Sequence, residues 1–126
     1  MTSIHQPEHN PESCAERTRP ERIRAIQDAL DFLGGKWKLP ILQALTTGGK
    51  QRFRELERSV TGITPKMLSK ELQDLEMNRL IKRMVLDTKP VSVEYEITEY
   101  SASLFPVLNA LSDWGLQHRA LIMQKG

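Results

Sequence analysis

Ten basic side chains fall between Lys50 and Pro90, against six acids. That 41-residue stretch carries +4 in a protein whose total is +2, and the remainder is net acidic. A basic middle in an otherwise acidic chain suits a polyanion, although a solvated face of mixed charges has the same composition. Within it Lys66, Ser69, Lys70 and Gln73 recur at spacings of three and four. On a helix that spacing gathers two ammonium groups, a hydroxyl and an amide on one face, the groups that meet phosphates and base edges.

The other reactive side chains point to less. His5 and His9 stand four apart with Glu8 between them, but no third ligand completes a metal site and no helical pattern holds the pair, so no metal is expected. Cys14 lies close to Arg17 and Arg19, which favour a thiolate, and to Glu12 and Glu16, which oppose it. It is the residue through which a redox signal would enter. Glu94 and Glu96 share a strand face and read as solvent-side charges, not an acid–base pair. The chain has no glycine-rich phosphate loop, nucleophile elbow or zinc spacing. Neither an enzyme nor a cofactor is expected.

Length and composition bound the rest. A chain of 126 residues with 39% apolar content supports one domain with a real core. No apolar run reaches the roughly 20 residues of a membrane helix, and the polar start lacks a signal-peptide core. One cysteine closes no internal disulfide. The expectation is a cytoplasmic protein with no membrane partner.

The positioning elements follow from periodicity. Residues 1–19 lack a pattern and are read as a flexible arm before a domain at 20–126. A first helix starts near Pro20 and places Ile23, Ile26, Ala29, Leu30 and Leu33 at threes and fours, ending at Gly34-Gly35. A second, about Lys36 to Thr46, turns Trp37, Ile41, Leu42 and Leu45 inward. A third, about Gln51 to Ser59, buries Phe53 and Leu56, with Val60 beside it. The fourth has the clearest start, Thr64 as cap and Pro65 in the first turn, with Leu68, Leu72 and Leu75 as its inner stripe. After Asn78 the period falls to two: Ile81 to Leu86 and Ser92 to Ile97 read as a hairpin around Asp87-Thr88-Lys89-Pro90. Thr98 is the expected cap of a last helix reaching about Ile122.

This order predicts a mainly α protein with a small β-hairpin: a winged helix-turn-helix with a long C-terminal dimerisation helix. The third helix props the fourth so that its first turns enter the major groove of a double-stranded DNA operator. Thr64, Lys66, Met67, Ser69, Lys70 and Gln73 are the expected DNA-binding residues of that helix, Met67 with a share in packing. Arg52 is expected on the backbone, and Lys89 at the wing tip. Leu104, Leu108, Leu111, Trp114, His118 and Leu121 are too apolar a stripe for a monomer and predict a homodimer. Trp37 and Trp114 read as core or seam, with a pocket for a small-molecule effector as the alternative. A winged helix that binds protein instead of DNA is the competing function, and Lys66 and Lys70 favour DNA.

The runs "ALDFLGGKWKLPILQAL" (29–45), "RFRELERSVTGITPKMLSKELQDLEMNRLI" (52–81) and "VEYEITEYSASLFPVLNALSDWG" (93–115) also resemble the HxlR-type winged helix-turn-helix regulators, a bacterial group similar to the MarR proteins. The resemblance implies dimeric DNA binding, a groove-reading helix at "ITPKML" and a wing at the hairpin. It carries DNA contact onto Arg52, Lys66, Ser69, Lys70 and Lys89. Two positions depart from the pattern. Many members have a cysteine ten residues before the first Gly of "GGKW", where this chain has Arg24, so a sensing role does not carry over to Cys14. The wing has Val91 and Ser92 where an arginine often precedes "VEY", which implies weaker wing contact.

Overall fold

The computed structural model describes residues 18–124. Residues 1–17 of the expected arm, with His5, His9 and Cys14, lie outside the described residues, whereas Thr18 and Arg19 belong to the first helix and its cap. The chain groups into two compact units that divide between Gly35 and Lys36.

The described part of the first unit is one helix, α1 (Arg19–Leu33). It opens one residue before the proline that signals it, because Thr18 and Glu21 form a capping box. The Glu21 N–H donates to Thr18 Oγ1 at 3.2 Å, and the Thr18 N–H donates to Glu21 Oε1 at 3.0 Å. Ile23, Ile26 and Leu30 stay at least half exposed along it.

The second unit holds α2 (Lys38–Gly48), β1 (Gln51–Arg52), α3 (Phe53–Ser59), α4 (Pro65–Met77), β2 (Ile81–Leu86), β3 (Ser92–Ile97), a 3-10 turn (Glu99–Ser103) and α5 (Phe105–Gln124). Its core is a knot of aliphatic side chains. Ile41, Leu42 and Leu45 of α2 meet Leu56 of α3, Val60 and Ile63 of the turn, Leu68, Leu72 and Leu75 of α4, and Leu80 and Ile81 beyond it. All are at most 8% exposed, so the three-and-four spacing of the leucines does define the inner faces.

Three expectations need correction. Gln51 and Arg52 are not helical: they form β1 and pair antiparallel with Tyr95 and Glu94 of β3. The sheet therefore has three strands in the order β1-β3-β2, not two, and α3 begins at Phe53. The period of two is also broken along β2, where Ile81 is buried, Lys82 and Arg83 are both exposed, Met84 and Leu86 are partly buried near the wing and Val85 is 59% exposed. Finally, Thr98 precedes a 3-10 turn and not the last α-helix, and its side chain makes no cap bond. Its hydroxyl donates to the Arg79 carbonyl at 2.7 Å, and the last α-helix starts only at Phe105.

That corner explains how α4 ends. Arg79 has φ +66°, a left-handed conformation that glycine usually supplies. The Leu80 N–H donates to the Leu75 carbonyl and the Arg79 N–H to Glu76, the paired bonds of a Schellman ending. Thr98 and Ser101 hydroxyls then hold the Arg79 and Leu80 carbonyls, fixing the end of α4 against the segment that leads into α5. A second clasp sits at the other end of the motif. Gln51, 8% exposed, donates from Nε2 to the Ala44 carbonyl at 2.8 Å and accepts from Ser59 Oγ at 3.1 Å. It ties the end of α2 to the end of α3 with a buried, satisfied amide.

Candidate nucleic-acid interface

α3 and α4 are joined by Val60-Thr61-Gly62-Ile63-Thr64. Gly62 adopts φ +89°, so a side chain there would cost about 1–2 kcal/mol in backbone strain alone. Its space is not the constraint, because a Cβ would meet only the edge of Trp37 at 3.8 Å. Trp37 is half-buried beside this turn, in keeping with a core role. α4 then starts as the sequence indicates: Thr64 Oγ1 accepts the Met67 N–H at 3.2 Å, and Pro65 occupies the first turn.

With Leu68, Leu72 and Leu75 turned inward, the opposite face of α4 carries Lys66, Ser69, Lys70 and Gln73, all exposed. Thr64 is exposed at the cap, and Met67 is half-buried between the faces. Among the described residues no carboxylate pairs with Lys66 or Lys70. The four polar side chains therefore form a continuous face free to meet an anionic duplex. Arg52 is exposed at the end of β1, its N–H donating to Glu55 Oε1 at 2.7 Å. Lys89 is exposed in the β2–β3 loop, where Thr88 Oγ1 donates to the Pro90 carbonyl at 2.8 Å. Val91 beside it is 66% exposed, so the wing tip presents an apolar surface next to its one lysine.

Two acidic residues of α4, Glu71 and Asp74, are on another flank, and Glu76 is exposed near the C-terminal end of the helix. Lys38, in the first turn of α2, places Nζ 2.7 Å from Glu71 Oε1 and 3.5 Å from Asp74 Oδ2; the Lys38 and Glu71 side chains are each 13% exposed. Burial acts to lower the Lys38 pKa, but the hydrogen bond and charge of Glu71, reinforced by Asp74, outweigh it. The ammonium is held above its ordinary 10.5. A raised pKa in the folded state means the stabilisation is complete below the unfolded value and is lost as pH rises through the folded one. The stability difference between the wild type and Lys38→Met, followed by urea denaturation, should thus stay constant through neutral pH and shrink only above about 10.5. A difference that already vanished near pH 8 would contradict this pairing. Lys38 and Gln51 are the two positioning residues that sequence reasoning missed. The Lys38 pair spans 33 residues, and no local pattern announces it.

Over the Gln51 clasp lies a cleft of about 740 Å³ between α2 and α3, lined in part by Gln43, Thr47, Lys50 and Arg58. Its walls are largely polar, unlike the apolar pockets that take most small ligands.

α5 is a different kind of surface. None of its residues is buried; Leu104, just before it, and Leu108 are half-buried, and Leu111, Trp114, His118 and Leu121 are exposed. The Trp114 and His118 rings stack with centroids 4.8 Å apart and planes 12° from parallel. Val107, Leu116, Ile122 and Met123 extend the apolar area beyond the expected stripe. Among the described residues no helix is long and apolar enough to cross a membrane, so this surface is not a membrane span.

Comparison with known proteins agrees with the architecture. The HTH-type transcriptional regulator YtcD of Bacillus subtilis is 44% identical over 94 residues, covering 75% of this chain and 74% of that protein. Its crystal structure superposes with a TM-score of 0.68 over 74% of this chain and 94% of that one. The reduced form of the transcriptional regulator YodB from B. subtilis, 32% identical, gives a TM-score of 0.69 over 80% of this chain and 94% of its own. The family described as HxlR-like helix-turn-helix matches residues 32–123. With the capped α4, its three-leucine anchor and the adjoining three-stranded wing all in place, the chain belongs to the HxlR-like helix-turn-helix family of transcriptional regulators.

Proposed function

We propose that the protein is a cytoplasmic homodimer that binds a two-fold symmetric DNA operator. In this reading α4 reads the major groove, Arg52 and Lys89 hold the backbone, and α5 forms the subunit seam. One observation carries the reading: the first turns of α4 present Lys66, Ser69, Lys70 and Gln73 together, exposed and, among the described residues, without acidic partners, on a helix whose other face is fixed in the core. The N-terminal end of the helix adds a favourable dipole for nearby phosphate. YodB, solved in reduced and quinone-bound forms, supports a small-molecule or redox signal as the input, with Cys14 as the only thiol of this chain.

A two-fold protein requires a two-fold site. DNA fragments selected from a genomic library and footprinted with the purified protein should show paired protections centred about 10 base pairs apart or a near multiple. Single, asymmetric footprints would overturn the dimeric mode. An absence of duplex binding even at low salt would leave a protein-binding winged helix instead.

A further inference from the structure

The polar surface of α4 is divided. At 100° per residue, Ser69, Gln73, Lys66 and Lys70 occupy one sector, and Asp74 and Glu71 the sector next to it, on the side of Lys70. Lys70 and Asp74 are four residues apart, the spacing at which opposite charges on a helix meet. Yet no ion pair joins them, whereas Asp74 and Glu71 both face Lys38 of α2. The Lys38–Glu71 contact of 2.7 Å is a short, charge-assisted hydrogen bond between side chains that are each 13% exposed. The Asp74 side chain is 44% exposed, and its contact with Lys38 is the longer of the two, so it is the carboxylate less firmly held.

We infer that Lys38 is a positioning residue for DNA binding: it holds two of the three carboxylates of α4, Glu71 and Asp74, toward α2 and so leaves Lys70 free for phosphate or base. This rests on the reading of α4 as the DNA-binding helix. The logic is electrostatic. Glu71 and Asp74 without a counter-ion place two negative charges beside the groove face, where they repel phosphate. Asp74 also becomes available to pair with Lys70, which removes one cation from the interface. The leucine stripe cannot do this work, because apolar contact is non-directional and leaves charge uncompensated.

The test uses an operator duplex recovered by the genomic selection above and a salt series, because each phosphate neutralised by the protein adds about 0.9 to the slope of log affinity against log salt. Lys38→Met should reduce that slope by about one and weaken binding about tenfold near 0.1 M salt. Lys38→Arg should bind like the wild type. Adding Asp74→Asn to Lys38→Met should restore the slope, because the carboxylate that captures Lys70 is gone. The same pair is then broken from its other side. Glu71→Gln with Asp74→Asn forfeits the contact but leaves Lys70 free, so the slope should remain that of the wild type. This arm holds even if Lys38→Met fails to fold. Lys66→Ala is the control for the underlying reading. If it weakens binding while Lys38→Met does not, the role of Lys38 is wrong. If Glu71→Gln with Asp74→Asn loses slope as Lys38→Met does, or Asp74→Asn rescues nothing, Lys38 is merely structural. If Lys66→Ala also changes nothing, it is the DNA-binding assignment of α4 that fails.

Discussion

Trp114→Ala is expected to weaken self-association by about 2–4 kcal/mol, roughly thirtyfold to a thousandfold, and to leave the fold of the single chain intact. From sequence alone the same change looks like the loss of a packed side chain, with a folding cost of about 3–5 kcal/mol. The structure moves the cost. Trp114 is 63% exposed in one chain, so folding gains little from it and truncation leaves no internal cavity. What it offers a second chain is large: a flat aromatic ring near the middle of a 20-residue helix, flanked by Leu111 at 49% and Leu121 at 54% exposure. Its stacking on His118 holds the ring in one orientation before a partner arrives, which reduces the rotamer entropy lost on association. Large aromatics in such central positions carry much of the binding energy of an interface. Sedimentation equilibrium over a wide concentration range reads the shift directly, with circular dichroism to establish that the variant keeps its helices. A wild-type protein that is monomeric at micromolar concentration would remove the seam altogether. An unchanged dimer in the variant would move the seam off this part of α5.

Which features sequence reasoning reached, and which it missed, follows from the range of the interactions. Thr64-Pro65 and the leucines at 68, 72 and 75 are local signals, and they locate α4 and its exposed face correctly. The capping box at Thr18 and Glu21 is equally local, but Pro20 between them draws the start of the helix one residue too late. β1 is different. Two residues carry no alternation, and their partners Tyr95 and Glu94 are more than 40 positions away, so only the folded chain reveals the third strand. Lys38 reaches Glu71 by the same kind of long-range contact. Arg79 conceals itself in another way. The conformation calls for glycine, and an arginine there gives no warning that a helix ends in a left-handed turn. Thr98 shows that a good cap residue is only a candidate: its hydroxyl donates across the corner to the Arg79 carbonyl and accepts no N–H from the 3-10 turn that follows.

The groove face of α4 should separate residues that read bases from residues that only hold phosphate. Lys66 and Lys70 lie in the first two turns, exposed and without acidic partners among the described residues, with Ser69 between them short enough to approach a base edge closely. Arg52 ends a strand directly opposite Glu94, and Lys89 stands in the wing loop; neither is on α4. A side chain that neutralises phosphate alone strengthens every sequence alike, so its loss lowers operator and scrambled affinity together and flattens the salt slope by about one. A side chain that reads a base contributes about 1–3 kcal/mol on the operator and little elsewhere. Arg52→Ala and Lys89→Ala should therefore leave the ratio of specific to non-specific affinity unchanged while weakening both, with the smaller loss at Lys89, whose wing offers exposed Val91 in place of a second cation. Lys66→Ala or Lys70→Ala should lower the ratio itself by about fivefold to a hundredfold, the range those energies give. Lys66 should have the larger effect, because it sits two residues after the Thr64 cap and so nearest the helix end that enters the groove. The measurement is a set of isotherms on operator and scrambled duplex across a salt series. If both lysine variants kept the wild-type ratio, α4 would be docked on the backbone, and base reading would have to come from another element.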